Sequence, residues 1–265
     1  MIDVDCSGRT VLVTGSARGL GRATALAFAE RGAAVAIHYN TSEEAAAEAV
    51  AEALEAGAAD ATAVGGDVTD PDAVDRIFDE IEADLGPIDV LVNNVGSFAP
   101  VHWEEIDFDT WQHVFATNLH ATYLCSKRAL SGMHEQPPTN ADESSADDAS
   151  ADEAPAGGRI VNIGYASAEK GLVSPKNFPY FAAKAGVLMF TRMLAADTSD
   201  DGITVNAVSP YVIENSDEFP DDLPRGRPAA YEDVIQAILF FCHPDSGYVS
   251  GENVEVDGGW LPERV

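Results

Sequence analysis

Residues 11–21 read V-L-V-T-G-S-A-R-G-L-G, and this stretch is the strongest indication of how the chain folds. Three apolar residues suit a buried strand, and Gly15, Gly19 and Gly21 then lead into helix-forming residues that end near Gly32. The order of strand, glycine turn and helix is typical of phosphate binding, because glycine lets the backbone approach a pyrophosphate and the helix start offers free N–H groups. The spacing of these glycines differs from that of the dinucleotide-binding fingerprint G-x-G-x-x-G. The alternative interpretation is therefore a tight strand-to-helix turn that binds no ligand.

Strand and helix patterns alternate through the rest of the chain. Strands are predicted at residues 11–13, 33–39, 62–66, 88–93, 159–164, 203–208 and 253–256, and further helices at residues 42–56, 71–85, 105–133, 177–197 and 231–242. For the helix at residues 105–133, a break near its start is the alternative. This alternation predicts an α/β fold with right-handed crossovers: a doubly wound parallel sheet of about seven strands, flanked by helices. We expect residues 1–265 to form a single domain.

The charge balance is strongly acidic. The chain has 265 residues, of which 45 are acidic and 15 basic, for a formal net charge of -30. Duplex nucleic acid would be repelled, because its binding relies on Lys and Arg at the phosphates. Such a surface repels itself in dilute buffer and is tolerated where salt screens it, so we interpret it as a halophilic signature. A docking face for a basic partner is the alternative interpretation.

The cysteine, histidine and hydropathy patterns argue against several other classes of protein. Cys6, Cys125 and Cys242 are odd in number and far apart, which predicts small apolar fillers in a reduced compartment rather than disulfides or a metal site. The six histidines form no ligand cluster by spacing. No apolar stretch approaches the ~20 residues of a membrane span, so we expect a soluble, cytoplasmic protein. Residues 134–157 carry seven acids and no Lys or Arg, which predicts a mobile surface loop.

Polar or glycine-rich clusters follow six of the predicted strands, and ligands of open parallel sheets bind outside these carboxyl ends. The second cluster bears on the choice of dinucleotide. An acid there would bind the ribose hydroxyls of NAD, but Tyr39-Asn40-Thr41-Ser42 offers only neutral groups. Arg18, in the glycine turn, could pair with a 2′-phosphate. NADP(H) is therefore the preferred cofactor and NAD(H) the alternative.

Tyr180 and Lys184 are the strongest catalytic candidates. Residues four apart lie on one helix face, so the phenol and the ammonium are neighbours. A free tyrosine has a pKa near ~10, and an adjacent cation lowers it. Pro179 suits a first helical turn, which would place Tyr180 near the positive end of the helix dipole. We therefore expect a lowered pKa for Tyr180, the alternative being a chance surface pair.

The chain resembles the short-chain dehydrogenase/reductase family, and within it the 3-oxoacyl-carrier reductases. The resemblance covers nearly the whole chain through T-G-S-A-R-G-L-G (14–21), D-V (67–68), N-N-V-G (93–96), A-T-N-L (116–119), Y-F-A-A-K (180–184) and V-D-G-G (256–259). It implies a Rossmann-type fold and hydride transfer between a nicotinamide and a carbonyl or secondary alcohol, without a metal. It also implies a homo-oligomer, a dimer or a tetramer, assembled through the helices predicted at residues 105–133 and 177–197.

The resemblance also implies roles for individual residues. Tyr180 would give a proton to the carbonyl oxygen, Lys184 would bind the nicotinamide ribose, and Asn118 would hold a water molecule in the proton relay. Asp67 and Val68 would contact adenine. The candidate catalytic residues are Tyr180, Lys184, Asn118 and Ser167, and the candidate cofactor-binding residues are Gly15, Ser16, Arg18, Gly19, Leu20, Gly21, Tyr39, Asn40, Thr41, Ser42, Asp67, Val68, Asn94, Gly96, Tyr180, Lys184, Pro210 and Ile213.

Two positions depart from the family pattern. The family places a Ser after the fifth strand, where counting forward gives Tyr165 and counting back from Tyr180 gives Ser167. We favour Ser167, because a hydroxyl donor is needed to polarise the carbonyl. The second departure is Tyr211, where the family has Gly. A nucleotide-binding protein that has lost turnover, and an acidic scaffold for basic partners, are the rival functions.

Overall fold

The computed structural model describes residues 2–135, 157–166, 168, 175–216 and 219–260. Within these ranges the strands are β1 (Thr10–Val13), β2 (Ala34–Tyr39), β3 (Asp60–Gly65), β4 (Val90–Asn93), β5 (Arg159–Ile163), β6 (Thr204–Pro210) and β7 (Asn253–Val256). The α-helices are α1 (Gly19–Ala29), α2 (Glu43–Ala56), α3 (Pro71–Leu85), α4 (Phe108–Phe115), α5 (Ala121–Glu135), α6 (Phe178–Asp197) and α7 (Tyr231–Cys242). Most of the predicted acidic loop, at residues 136–156, lies outside the described residues, as does Ser167.

The strands form one parallel sheet in the order β3-β2-β1-β4-β5-β6-β7. The order reverses between β1 and β4, because β2 and β3 continue on one side of β1 whereas β4 to β7 continue on the other. A crevice opens at such a reversal, outside the carboxyl ends of the strands. The predicted α/β class and doubly wound seven-stranded sheet are confirmed.

Local signals in the sequence fix several element ends. Asp70 caps α3 by accepting a hydrogen bond from the N–H of Asp72 over 3.1 Å, and Pro71 occupies the first helical turn. Gly57 ends α2 in the left-handed conformation, at φ 116°. These ends therefore agree with the predicted ones. β3 differs, because it begins at Asp60 and pairs with Ala34 of β2.

The segment predicted as a helix at residues 105–133, with a break near its start as the alternative, is two helices joined by a π-helical turn at Ala116–His120. Polar side chains within the turn explain the interruption. The amide of Asn118 donates to the carbonyl oxygen of Val114 over 2.8 Å, and the hydroxyl of Thr117 donates to that of His113 over 3.0 Å. Side chains that bond to carbonyls one turn earlier disturb the regular backbone ladder.

Two apolar layers cover the sheet, one on each face. The layer under α1, α2 and α7 contains Phe28 and Ile238, and the layer under α3 and α5 contains Phe78 and Ile81. All three cysteines are buried and free, as their predicted role as apolar fillers requires. The described helices are not long and apolar enough to cross a membrane. No group of His, Cys, Asp or Glu in these ranges has a metal-binding arrangement.

Candidate active site

The glycine turn between β1 and α1 lies at the reversal of strand order. Gly15 and Gly19 have positive φ angles of 67° and 57°, which favour glycine. At Gly21 a β-carbon would overlap the carbonyl oxygen of Gly15 and lie 2.6 Å from the Nδ2 atom of Asn94. Asn94 donates from that nitrogen to the carbonyl oxygen of Thr14 over 2.9 Å. The turn can keep this shape only with glycine at position 21.

Ser16 and Leu20, two candidate cofactor-binding residues of the turn, have side chains that are buried in the protein. Ser16 is fully buried, and its hydroxyl accepts a hydrogen bond from the N–H of His38 over 2.9 Å. Its own N–H donates to the carbonyl oxygen of His38 over 2.9 Å. Leu20 is buried in the core layer under α1. Ser16 and Leu20 therefore support the turn from within.

His38 also belongs to this region, although it is not among the residues predicted from the sequence. Its imidazole is buried, accepts a hydrogen bond from the N–H of Gly15 at Nδ1 over 2.9 Å, and has its Nε2 atom 3.0 Å from the carbonyl oxygen of Gly66. Burial lowers the pKa of His38. Position 38 lies next to Tyr39 at the end of β2, which is the signal that could have identified it.

Arg18, Thr41 and Ser42 line one open cavity of about 600 Å³. Among the described residues, no carboxylate lies within 4 Å of the Arg18 guanidinium, whereas Arg22 in the same cavity pairs with Glu52 at 2.8 Å. Glu43, Glu44 and Glu48 also line this cavity. The structure thus places the predicted Arg18 beside the predicted Thr41 and Ser42.

The remaining residues near β2 and β3 have different surroundings. The ring of Tyr39 packs over Gly65, where a β-carbon would lie 2.8 Å from its Cζ atom, and Asn40 is exposed. Asp67 is exposed and accepts hydrogen bonds from both the N–H and the hydroxyl of Thr69, at 2.9 and 2.8 Å. Val68 is buried in the second core layer.

Tyr180 and Lys184 lie on α6, which begins beside the sheet edge. Asn177 precedes the helix and Pro179 occupies its first turn, so Tyr180 lies in that turn as predicted. The ammonium of Lys184 is buried and donates to the carbonyl oxygen of Ile163, at the end of β5, over 2.6 Å. It lies 5.8 Å from the centre of the Tyr180 ring. The phenol and the ammonium are therefore neighbours.

The pKa of Tyr180 differs from our expectation. Desolvation raises this pKa, and the neighbouring Tyr165 raises it further, so the predicted lowering is wrong. Desolvation lowers the pKa of Lys184 to about 8. Desolvation is the largest cause of both shifts, and the ammonium bonds to the carbonyl oxygen of Ile163. At neutral pH Tyr180 therefore carries its proton.

Asn118 lies in the π-helical turn beside this pair. Its amide nitrogen donates to the carbonyl oxygens of Ser97 and Val114 over 2.7 and 2.8 Å, whereas its buried Oδ1 atom has no donor among the described residues. A β-carbon on Gly96 would lie 2.6 Å from this oxygen and 3.6 Å from the Nζ of Lys184. Gly96 thus separates a buried acceptor from a buried cation.

Aromatic rings surround Tyr180. The Tyr165 ring centre lies 5.4 Å from that of Tyr180 and 6.3 Å from that of Tyr211. Tyr211 in turn stacks on Trp260 at 4.2 Å. Both departures from the family pattern, Tyr165 and Tyr211, therefore belong to one aromatic cluster beside the phenol. The preference for Ser167 concerns a position outside the described residues.

The segment after β6 reaches back to the glycine turn. Pro210 ends β6 and accepts a hydrogen bond from the N–H of Ala166, and Ile213 is half-buried in a bridge to Ala229. A β-carbon on Gly19 would lie 3.0 Å from the amide nitrogen of Asn215. Asn215 was not among the predicted residues, although it lies within the polar cluster that follows the sixth strand.

Comparisons with known proteins agree with this architecture. A family model described as short chain dehydrogenase matches residues 9–142, and one described as enoyl-(acyl carrier protein) reductase matches residues 145–261. The 3-oxoacyl-[acyl-carrier-protein] reductase FabG of Vibrio harveyi is 33% identical over 97% of this chain and 98% of its own length. The 3beta-hydroxysteroid dehydrogenase 1 of Eggerthella lenta is 33% identical over 96% of this chain and 94% of its own length.

A solved structure shows the same fold. The landomycin C-6 ketoreductase LanV, crystallised with NADP and rabelomycin, superposes with a TM-score of 0.82 at 27% identity, over 97% of both chains. Sequence and structure thus agree over almost the full length of the chain. The chain belongs to the short-chain dehydrogenase/reductase family, and it is an NAD(P)-dependent oxidoreductase that acts on C=O and CH–OH groups.

Proposed function

We propose that the protein is an NADP(H)-preferring reductase that transfers a hydride to a ketone or 3-oxoacyl substrate, and that it can run in reverse on a secondary alcohol. The observation that carries this proposal is the grouping of Tyr180, Lys184 and Asn118 beside Gly96, at the same sheet edge as the glycine turn. A proton donor, a buried cation and a buried acceptor are the groups that carbonyl reduction needs in addition to a hydride source.

The residues present fit a nicotinamide dinucleotide. Gly21 could not carry a β-carbon, and α1 begins at Gly19 within this turn, so its first N–H groups would be available to a phosphate. Gly15, Gly19 and Gly21 would hold the pyrophosphate, Lys184 would hold the nicotinamide ribose, and Asp67 and Val68 would contact adenine. Asn94 and Gly96 would line the cofactor, as would Pro210 and Ile213. When bound, the nicotinamide supplies the hydride.

The remaining chemistry belongs to the chain itself. Tyr180 is a protonated phenol at neutral pH, so it can donate that proton to the oxygen of a carbonyl as negative charge develops there. The charged Lys184 stabilises the resulting phenolate. The Oδ1 of Asn118, which has no donor in the ranges that the structure describes, supports a role in holding a water molecule that returns a proton towards Lys184. We propose that Ser167 supplies a further hydroxyl to the substrate oxygen.

The preference for NADP(H) rests on Arg18. Its guanidinium lies without a carboxylate within 4 Å in the described parts of the chain, and it shares a cavity with Thr41 and Ser42. A 2′-phosphate there would gain a charge-assisted pair. Arg18→Ala should therefore weaken NADPH binding about tenfold and leave NADH binding nearly unchanged, as measured by fluorescence titration. Equal losses for both dinucleotides would contradict this preference.

Turnover is tested by NADPH consumption with a panel of ketones and 3-oxoacyl thioesters in high salt. Tyr180→Phe should lower the rate by about 10²–10⁴-fold, which is the usual contribution of a general acid. Tyr248→Phe is the matched control, because Tyr248 is fully exposed. A wild-type protein that binds NADPH but reduces none of the panel would favour the rival function, a nucleotide-binding protein that has lost turnover.

We also propose that the chain assembles as a homo-oligomer, a dimer or a tetramer, through α5 and α6. Tyr123 on α5 is 45% exposed, and Met189 and Met193 on α6 are 65% and 66% exposed. The Tyr123 ring contacts Phe190 edge-on at 6.2 Å, so the two helices present one apolar surface. Large exposed apolar side chains that cluster in this way are typical of protein interfaces.

A further inference from the structure

We propose that His38 is a positioning residue for dinucleotide binding, which holds the glycine turn after β1 and the turn after β3 in fixed relation to each other. The inference rests on the proposed dinucleotide site. His38 lies outside the family motifs at residues 14–21, 67–68, 93–96, 116–119, 180–184 and 256–259. His38 lies on β2, between the two turns, and touches both through its side chain.

The hydrogen bonds fix the form of the imidazole. A carbonyl oxygen only accepts, so Nε2, at 3.0 Å from the carbonyl oxygen of Gly66, must carry the hydrogen. A backbone N–H only donates, so Nδ1, at 2.9 Å from the nitrogen of Gly15, must be the bare acceptor. The ring is 1% exposed, and its lowered pKa keeps it neutral at pH 7. One tautomer therefore satisfies both turns.

The backbone of His38 reinforces this link. Its N–H donates to the hydroxyl of Ser16, and its carbonyl oxygen accepts from the N–H of Ser16, each over 2.9 Å. Residue 38 thus bonds to two successive residues of the glycine turn. Gly15 is the one whose carbonyl oxygen lies against Gly21. A shift of Gly15 would therefore change the surface that the pyrophosphate is proposed to meet.

Losing the acceptor at Nδ1 would leave the N–H of Gly15 without the partner it has in this structure. This hydrogen bond is part-buried, and a donor left unpaired there costs free energy, so the turn would move to find another acceptor or water. The proposed adenine contacts follow Gly66, so loosening that turn would affect the other half of the same ligand. We therefore expect the loss of the His38 hydrogen bonds to weaken dinucleotide binding more than it lowers the stability of the protein.

Asn206 provides a matched control. It is also fully buried, and it also bridges a strand to a neighbouring segment: its amide donates to the carbonyl oxygen of Val249 over 2.8 Å and accepts from the N–H of Glu252 over 3.0 Å. These contacts join β6 to the segment before β7, away from the glycine turn. A purely structural role for His38 predicts that changes at positions 38 and 206 behave alike.

The experiment compares two isosteric replacements, His38→Asn and His38→Leu. Asparagine can keep an acceptor near the position of Nδ1, whereas leucine has the same size and no acceptor. The dissociation constants of NADPH and of 2′,5′-ADP are measured by fluorescence titration or calorimetry, and the melting temperature is measured alongside. We expect His38→Leu to weaken both ligands at least about tenfold, or about 1.4 kcal/mol, and His38→Asn to weaken them less than about threefold.

The control, Asn206→Leu, should lower the melting temperature and leave both dissociation constants within about twofold of wild type. Equal affinities in His38→Leu and His38→Asn would overturn the inference, as would an equal loss of affinity in Asn206→Leu. If His38→Leu does not fold, His38→Gln replaces it, because its longer amide reaches towards Gly66 and leaves Gly15 without its acceptor. A wild-type protein that binds neither ligand would instead refute the proposed function.

Discussion

The Nζ of Lys184 donates a hydrogen bond to the carbonyl oxygen of Ile163 over 2.6 Å, and so joins α6 to the carboxyl end of β5. Lys184 is 3% exposed, and burial lowers its pKa to about 8. A buried cation that bonds to a neutral carbonyl costs free energy, because it gives up its hydration without gaining an ion pair. The protein is therefore less stable than it would be with an apolar residue at position 184.

Replacing Lys184 with Met should separate stability from activity. The fall in its pKa from 10.5 to about 8 corresponds to about 3 kcal/mol of destabilisation at pH 7, of which the lost hydrogen bond would offset about 1. Urea unfolding at pH 7 should therefore give a free energy of unfolding that is about 1–2 kcal/mol higher for the variant than for the wild type. The variant should show no measurable turnover. Lys127→Met, at an exposed lysine, should alter neither property.

The same group sets a pH dependence. Between pH 8 and 10.5 the unfolded chain holds more protons at Lys184 than the folded chain, so this residue makes the free energy of unfolding rise with pH in that window. Below about pH 8 its destabilising effect is complete. The difference between the wild type and Lys184→Met should therefore shrink from pH 8 to 10.5. A constant difference across that range would show that the pKa is not lowered.

Gly21→Ala should destroy the glycine turn. A methyl group there would overlap the carbonyl oxygen of Gly15, which is backbone and cannot move aside cheaply. We expect a stability loss of about 1–3 kcal/mol in urea unfolding and loss of NADPH binding in fluorescence titration. The control is Gly132→Ala, in α5, where the nearest atom is the flexible Oε1 of Glu82 at 3.1 Å. It should keep NADPH affinity and change stability by less than about 1 kcal/mol.

Molar KCl should stabilise the protein. The chain has 45 acidic and 15 basic residues, so folding brings many like charges close together. The screening length of their repulsion falls from about 10 Å at 0.1 M salt to about 3 Å at 1 M. The melting temperature should rise steadily between 0.1 and 2 M KCl, by differential scanning calorimetry. Sucrose at matched osmolality should raise it less. A curve that is flat in KCl would contradict the halophilic interpretation.

Met193→Glu should disrupt the proposed interface between copies of the chain. A carboxylate in the exposed apolar surface of α5 and α6 would have to be desolvated on assembly, which costs several kcal/mol. Analytical ultracentrifugation should show a smaller species than the wild type. Leu54→Glu changes a 49% exposed position on α2, and this variant should keep the oligomeric state of the wild type. A wild-type monomer would rule out the proposed assembly.

The parallel sheet and the neighbouring positions of Tyr180 and Lys184 follow from local sequence patterns. Apolar runs alternating with capped helices specify a parallel sheet, and the spacing of Tyr180 and Lys184 places both on one helix face, because these are properties of local periodicity. A break near the start of the helix at residues 105–133 was an open alternative, but its position at Ala116–His120 and its cause did not follow from periodicity, since they depend on Asn118 and Thr117 bonding to carbonyls one turn earlier.

The protonation of Tyr180 and the contacts that hold the candidate site depend on how distant segments pack together. The Tyr180–Lys184 spacing predicted a lowered pKa for the phenol, yet desolvation and Tyr165 raise it, because burial depends on what other segments cover. His38 is one histidine among six in the sequence. It becomes a link between two turns because the parallel pairing of β2 with both β1 and β3 brings Gly15 and Gly66 to opposite sides of its ring.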